Sequence, residues 1–345
     1  MKKIVHITND LQRLGGVQRL LVDLMTLQKN DFEFEVILTR GENEYVDELN
    51  ALGIPVFHKR ELGLLGTIKR LNNADLVHAH LFPSLYIALL TTTPTVITEH
   101  NPHYRRRDLP FAKTLESILY RKYKKILCIS EGVQKGFLSS VKVKPSVTHV
   151  VHNGISLNRF PQLPRQYPRV NKKFKVGMVG RLVPQKDIKT LISLMSQLDD
   201  SFELHLAGDG ELRPEFERYS RELNVSNHIK FHGQVNDVPA FLRSIDLYIQ
   251  SSYWEGFGIA VVEAMAAGLP CFATNVNGLN NVIDQEYLFE VGDTKQLTEK
   301  VMALKKSAVL YNQSANYAVK QANKFSISSA AIEHTRIYKS CMRDA

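Results

Sequence analysis

Short runs of β-branched and aliphatic residues alternate with amphipathic stretches along nearly the whole chain, opening with "KKIVHIT", "GGVQRLLVDLMTLQ" and "FEFEVILT". The first and third runs have strand character and the second carries apolar residues at helical spacing, so the start of the chain is wired strand, helix, strand. The strand-like runs "DLVHAHL", "PTVITEH", "KILCIS" and "SVTHVVHNG" continue the series. Apolar on both faces, they suit a parallel sheet covered by helices. From Leu157 to Lys173 the stretch "LNRFPQLPRQYPRVNKK" replaces this periodicity with three prolines and several charges, as an interdomain linker does. The alternation then restarts with "FKVGMVGRL", "FELHLAGDG", "HIKFHGQV", "DLYIQSS" and "PCFATNV". The pattern predicts an α/β protein of two Rossmann-like domains, 1–160 and 174–325, joined by a linker at 161–173. A C-terminal helix over 326–345 is expected to cross back to the first domain. Ligands of open α/β sheets sit beyond the carboxyl ends of the strands, so two such domains facing each other predict a cleft lined by the loops that follow each strand.

Composition narrows the function classes. The chain has 345 residues, 44% of them hydrophobic and 23% charged, enough for two cores. No apolar run approaches the roughly 18 to 20 residues of a membrane span, and "KKIVHIT" is too short for a signal peptide, so a cytoplasmic protein is expected. Cys128, Cys271 and Cys341 are far apart, and the first two lie in strand-like runs, which predicts buried thiols and neither a disulfide framework nor a zinc site. The net charge of +9 is uneven, because residues 101–125 hold eight Lys/Arg against two Asp/Glu.

Candidate chemistry falls on the loops after strands. In "LGGVQRLL", Gly15 and Gly16 leave free amides at the start of a helix, which serves a tight turn or a phosphate contact equally well. In "GRLVPQKD", Arg181 and Lys186 put two cations where a helix dipole prefers anions. A bound diphosphate explains them, and solvated surface charge is the alternative. The stretch "EGFGIAVVE" carries Glu255 and Glu263 around a glycine-rich corner that turns into a helix near Ile259. These carboxylates are too far apart in sequence for one helical face, but they can reach different parts of one extended ligand. Carboxylates accept from sugar hydroxyls and helix amides suit phosphate oxygens. A sugar nucleotide has that order of parts: ribose, diphosphate, hexose. A metal clasp is less attractive, since the chain contains no Asp-x-Asp.

The motifs "GRLVPQKD", "LHLAGDGELRPEFE", "FHGQV" and "SSYWEGFGIAVVEAMAAGLP", in that order and spacing, resemble the nucleotide-binding half of the retaining glycosyltransferases of family 4, which have the GT-B fold. "GGVQR", "VHAHL", "TEH", "CISEGV" and "HNGI" fall where that family has its N-terminal landmarks, so the resemblance covers nearly the whole chain. It implies that Glu263 holds the donor ribose, Arg181 and Lys186 the diphosphate and Glu255 the transferred sugar. Gly16 would lie close to the phosphates, and His100, at the end of "PTVITEH", beside the donor sugar at the reacting centre. Phe257, Gly258 and Ile259, at the turn into the helix, complete the expected donor-binding set. Two places depart from the family pattern: Asp187 stands where glycine is usual, and Asn277 to Asn281 lacks the acidic residue that commonly follows the glycines.

The expectation is therefore a metal-independent, cofactor-free, retaining transferase. It would move a sugar from a nucleotide diphosphate donor, a UDP-sugar, to a hydroxyl of a glycan or lipid-linked oligosaccharide in surface polysaccharide synthesis. A sugar-nucleotide epimerase of the same architecture and a catalytically silent sugar-nucleotide-binding partner are the alternatives. His78 and His80 point to one face of a strand and could bind metal, but the sequence offers no evident third ligand. "YRKYK", Tyr120 to Lys124, matches a dehydrogenase Tyr-x-x-x-Lys without the glycine fingerprint that chemistry needs. In the basic segment, Phe111, Leu115, Ile118 and Leu119 recur at helical spacing, so one reading is a core-facing helix with a solvated basic back. The other uses Arg105, Arg106, Arg107, Lys122, Lys124 and Lys125 to dock the enzyme peripherally on the anionic inner face of the membrane, near a lipid-linked acceptor. No nucleic-acid-binding motif accompanies the charge.

Overall fold

The computed structural model describes every residue except Leu14, Gly15, His103, Pro110, Gln162, residues 169–171, Asp344 and Ala345, together with the side chains of Arg105 and Arg343. The chain divides into two compact units, Met1–Ser156 with Ile327–Ala345, and Leu157–Ser326.

The first unit is built on seven strands: β1 (Lys2–Thr8), β2 (Phe32–Leu38), β3 (Val56–His58), β4 (Leu76–His80), β5 (Thr95–Glu99), β6 (Lys125–Cys128) and β7 (Thr148–Val150). All pair in parallel, in the order β3-β2-β1-β4-β5-β6-β7. The order steps outward from β1 to one edge and then from β4 to the other, the doubly wound arrangement. Ile4, Val5 and Ile7 of β1 and Leu76, Val77 and Ala79 of β4 are fully buried on both faces, because helices cover the sheet above and below. The C-terminal helix Ile327–Arg343 belongs to this unit. It packs on the helix Gly16–Gln28, and its Ile337, Tyr338 and Cys341 join the core around Phe32, Phe34 and Leu76.

The second unit repeats the scheme with β8 (Phe174–Val179), β9 (Phe202–Ala207), β10 (Ile229–Gly233), β11 (Leu247–Gln250), β12 (Cys271–Thr274) and β13 (Leu288–Phe289), in the parallel order β10-β9-β8-β11-β12-β13. Its core is a continuous cluster from Phe174, Val176 and Met178 through Leu204 and Leu206 to Tyr311.

Two features differ from the sequence pattern. β3 and β13 are edge strands of three and two residues, too short to carry a period. The proline-rich stretch read as an interdomain linker is not extended free of the protein but hydrogen-bonded to the second unit. The Arg165 amide donates to the Gly268 carbonyl at 2.9 Å, its guanidinium to the Ile245 carbonyl at 2.7 Å, and the Tyr167 hydroxyl donates to the Lys305 carbonyl. The three cysteines are free and buried, and burial pushes the Cys128 thiol up to about 12. No helix among the described residues is long and apolar enough to cross a membrane.

Candidate active site

In the second unit the loops after β8, β11 and β12 meet. β8 ends at Val179, and the chain continues through Gly180 and Arg181 to a one-turn helix, Pro184–Lys186, then Asp187 and the helix Ile188–Met195. Asp187 adopts φ 45°, ψ 49°, the left-handed conformation in which glycine is unstrained. Aspartate tolerates it here because its buried carboxylate accepts from the Thr190 hydroxyl at 2.7 Å and its carbonyl from the Ser251 hydroxyl at 3.0 Å. The departure from glycine at this position thus preserves the backbone turn.

The loop after β11 is latched to this turn: the Tyr253 amide donates to the Gln185 carbonyl at 2.9 Å, and the Gln185 side chain to the Trp254 carbonyl at 2.8 Å. Glu255, 7% exposed, follows immediately. One of its oxygens, Oε1, accepts from Lys186 Nζ at 2.5 Å, Ser252 Oγ at 2.9 Å and Gln250 Nε2 at 3.2 Å. The Tyr248 hydroxyl donates to Gln250 Oε1 at 2.6 Å and so fixes the amide that faces Glu255. Burial, with lesser effects from nearby Glu255 and Glu263, raises the Tyr248 hydroxyl well above the usual phenol range, which keeps it a donor. The sequence pattern gave Lys186 and Glu255 separate duties; the structure pairs them. The supporting Tyr248, Gln250 and Ser252 sit on β11 and just beyond it, where alternating strand residues carried no motif.

The corner needs two glycines. Gly258 has φ +94°, and a side chain there would run into Leu279. Gly278 has φ +93°, and a Cβ on it would stand 2.4 Å from the Glu255 carbonyl oxygen. The stretch Asn277 to Asn281 therefore braces the corner from below, with Leu279 fully buried. Gly258 stands at the N-cap of the helix Ile259–Ala266 and has no side chain to cap it; the Val261 and Val262 amides donate to its carbonyl at 3.0 and 3.2 Å, which leaves the amides of Ile259 and Ala260 as the candidates for an anionic or hydroxyl-rich ligand. Ile259 is half-buried. Phe257 is 2% exposed and its ring packs edge-on against Phe325 at 5.3 Å, a core contact that leaves only its backbone to meet a donor. Glu263 is half-buried one turn into the helix, with Arg159 Nη1 at 3.9 Å. Arg181 is exposed, with no ion pair to another described residue. The two cations thus differ, Lys186 held by a buried carboxylate and Arg181 reaching into solvent.

In the first unit Gly16 opens the helix Gly16–Gln28 and is exposed; Gly15 lies outside the described residues. His100 follows β5 and is 5% exposed, and neither ring nitrogen has a hydrogen-bond partner among the described residues. Burial, then the proximity of His334, lowers its pKa to about 3, so the ring is neutral. His78 and His80 do share a face of β4, and the third histidine absent from the local motif comes from β1. His6 stands opposite His78 in register, and its Nδ1 lies 3.2 Å from His80 Nε2.

The basic segment is rearranged relative to expectation. Arg107 is completely buried; its Nε donates to Glu116 Oε2 at 2.6 Å and its Nη2 to Glu99 Oε1 at 3.1 Å. Arg106 is half-buried and donates to Glu116 Oε1 at 2.7 Å. Burial tends to raise the Glu116 carboxyl, but hydrogen bonds from Tyr86 and Arg107 hold it below the usual range. Arg107 thus belongs to the interior and cannot serve the membrane docking expected of it, and Arg106 is engaged by the same carboxylate; the Arg105 side chain lies outside the described residues. Lys122 and Lys124 are exposed, and Lys125 starts β6 half-buried. The helix Ala112–Leu119 presents its apolar side outward: Phe111, just before it, is 86% exposed and Leu115 and Ile118 are 57% exposed, while Glu116 and Ser117 face in. The core-facing reading of this helix is therefore reversed.

Residues 160–324 match the family model for glycosyl transferases group 1, and residues 14–159 the model for glycosyltransferase family 4. The chain is 27% identical to the UDP-Gal:alpha-D-GlcNAc-diphosphoundecaprenol alpha-1,3-galactosyltransferase of Escherichia coli, over 94% of this chain and 93% of the relative. It is 26% identical to the capsular polysaccharide biosynthesis glycosyltransferase CapH of Staphylococcus aureus, over 99% of both. Among solved structures, Anabaena Alr3699/HepE in complex with UDP and glucose superposes with a TM-score of 0.87 at 21% identity, covering 99% of this chain and 100% of that one. With one family model on each unit and GT-B neighbours along its full length, the chain belongs to the group 1, family 4 glycosyltransferases and is a transferase of the GT-B fold.

Proposed function

We propose that the protein is a retaining glycosyltransferase that moves a sugar from a UDP-sugar to a hydroxyl of a glycan or lipid-linked oligosaccharide in surface polysaccharide synthesis. The observation that carries this reading is the corner at Glu255, where a buried carboxylate, Lys186 and the glycine-led start of the helix Ile259–Ala266 converge. That set offers both a sugar-hydroxyl acceptor and phosphate donors. The names of the relatives support it: one gives UDP-Gal as donor and a diphosphoundecaprenol-linked acceptor, another capsular polysaccharide synthesis. The families matched are transferases, which leaves the epimerase and silent-partner readings without support.

In the proposed reaction the acceptor oxygen bonds to the anomeric carbon on the face from which the diphosphate departs, and the acceptor proton passes to the leaving phosphate oxygen. Arg181, Lys186 and the helix amides stabilise the charge that develops on the diphosphate, the largest kind of contribution available to such a site. No metal is assigned to the diphosphate. Glu263 accepts from the ribose hydroxyls. Glu255 Oε1 is occupied by three donors, so its other oxygen is assigned to the transferred sugar. His100, neutral, is assigned a hydrogen bond to that sugar. Incubation with a panel of nucleotide sugars, read by calorimetry and nucleotide release, tests the donor class; binding of none of the UDP-sugars refutes it.

The partner surface proposed for anionic lipid is the outward face of Leu109, Phe111, Leu115 and Ile118, with Lys113, Arg121, Lys122 and Lys124 around it. Apolar side chains entering the headgroup boundary and cations attracted to anionic lipid form an interfacial anchor. On this reading the enzyme works peripherally on the cytoplasmic leaflet.

A further inference from the structure

We propose that His6, His78 and His80 form a buried binding site for a divalent first-row transition metal of the zinc class, separate from the diphosphate chemistry. One ring nitrogen from each of the three lies within 4.8 Å of the others, and all three side chains are buried. The sheet creates this arrangement. His78 and His80 are two apart on β4 and so share a face, and β1 sets His6 opposite His78. The rings crowd together, with centroids 4.0 Å apart for His78 and His80, 5.2 Å for His6 and His78, and 5.4 Å for His6 and His80.

The His6 Nδ1 to His80 Nε2 separation, 3.2 Å, fits a shared hydrogen bond. It also fits a ligand pair, since nitrogens about 2.0 to 2.1 Å from a tetrahedral zinc stand about 3.3 to 3.4 Å apart. Burial lowers the pKa of all three rings, so they are neutral, as ligation requires. In the shared hydrogen bond one facing nitrogen donates and the other is already bare, so only the donor ring has to move its proton to its outer nitrogen for both to face a metal. The outer nitrogens, His6 Nε2 and His80 Nδ1, have no partner among the described residues, so the bond given up for that tautomer is the one the two rings share. His78 is steered from both sides: Nδ1 lies 2.6 Å from the Tyr338 hydroxyl and Nε2 2.7 Å from the Thr98 hydroxyl. With Nδ1–H donating to Tyr338, Nε2 becomes the ligand once the Thr98 hydroxyl turns away. Tyr338 then holds the ring as outer partners of metal-bound histidines do. The fourth position falls to water or hydroxide; a hydroxide halves the charge that must be buried where the ligand set contains no carboxylate.

Imidazole-only ligation selects zinc, copper, nickel and cobalt over magnesium and calcium. The full chain, freed of metal by chelator and dialysed, is titrated with Co2+ and followed by visible absorption, then with Zn2+ by calorimetry. The expected result is one equivalent bound, the intense visible band of tetrahedral cobalt, and displacement of that band by Zn2+ but not by Mg2+. His6→Phe and His80→Phe abolish the band. Should either lose the far-ultraviolet circular dichroism of the parent, His6→Gln or His80→Gln replaces it. A parent that shows neither band nor heat, or a band that persists in folded His6 and His80 variants, overturns the site and leaves a hydrogen-bonded histidine cluster in its place. None of these readouts involves a nucleotide sugar, so they stand or fall apart from the transferase reading.

Discussion

Replacing Arg107 by methionine should destabilise the first unit by about 3 kcal/mol, toward the lower end of the roughly 3 to 5 kcal/mol for removing one partner of a buried ion pair. The structure sets that position in the range. Arg107 is fully buried between Glu99 and Glu116. Without it, Glu116 keeps Arg106 at 2.7 Å and Tyr86 at 2.5 Å, while Glu99 Oε1 keeps the Tyr120 hydroxyl at 2.6 Å and no ion pair that the structure shows. The loss therefore falls on Glu99, and adding Glu99→Gln should recover a large part of it. The single tryptophan, Trp254, lies in the second unit and cannot report this event. Hydrogen exchange of β5 and β6 peptides in urea can. The comparison belongs at neutral pH: Glu116, with its depressed pKa, contributes stability above the usual carboxylate range and loses it as pH falls through the lowered value. A penalty under about 1 kcal/mol, or one that Glu99→Gln deepens, would refute the buried-pair account and return Arg107 to a surface role.

Lys186→Ala and Arg181→Ala should each weaken UDP binding and turnover, by roughly 1.5 to 3 kcal/mol for one charge-assisted hydrogen bond; unchanged calorimetry and rates in both would remove the diphosphate assignment. Glu263→Ala should lower UDP affinity, whereas His100→Ala should lower turnover with UDP affinity retained, and Glu255→Gln should lower turnover while UDP binds at least as tightly because Lys186 is released. Weaker UDP binding by Glu255→Gln counts against that competition. Phe111→Ser with Leu115→Ser and Ile118→Ser should reduce sedimentation with anionic vesicles and leave UDP binding intact; equal partitioning of parent and variant onto anionic and neutral vesicles would dismiss the lipid face. Chelator should leave turnover largely unchanged, and complete loss restored by magnesium would reverse the metal-independent reading.

Long elements and the corner at Glu255 were legible because both are written locally. β1, β2, β8 and β9 are runs of six or seven residues bounded by turn signals, and "EGFG" marks the turn whose positive φ at Gly258 the structure requires. What stayed hidden depends on partners distant in sequence. His6 and His80 lie 74 positions apart and are brought together by strand order alone. Arg107 looked like surface charge because its counterions, Glu99 and Glu116, are named by the turn between β5 and the next helix and not by any spacing rule. The exposed face of Ala112–Leu119 was misread for a related reason: helical periodicity finds an apolar side but does not say whether protein, lipid or water meets it.

The pairing of Lys186 with Glu255 bears on how the site answers its ligand. A lysine left free at the start of a helix repels the dipole and is solvated; here its ammonium is docked on a carboxylate that Ser252 and Gln250 already support. The pair is close to neutral, so at rest the exposed Arg181 supplies the uncompensated positive charge between the two proposed phosphate-binding cations. In the proposed reaction a diphosphate would meet the exposed Arg181 first and draw on the paired Lys186 second. On that reading, charge building on the leaving diphosphate would pull Lys186 from Glu255 and make the carboxylate a stronger acceptor for the sugar hydroxyl it is assigned. Under the proposed function the pairing would make the two assignments one coupled device, in which stabilising the leaving group and gripping the transferred sugar strengthen together in the transition state, where differential binding accelerates a reaction.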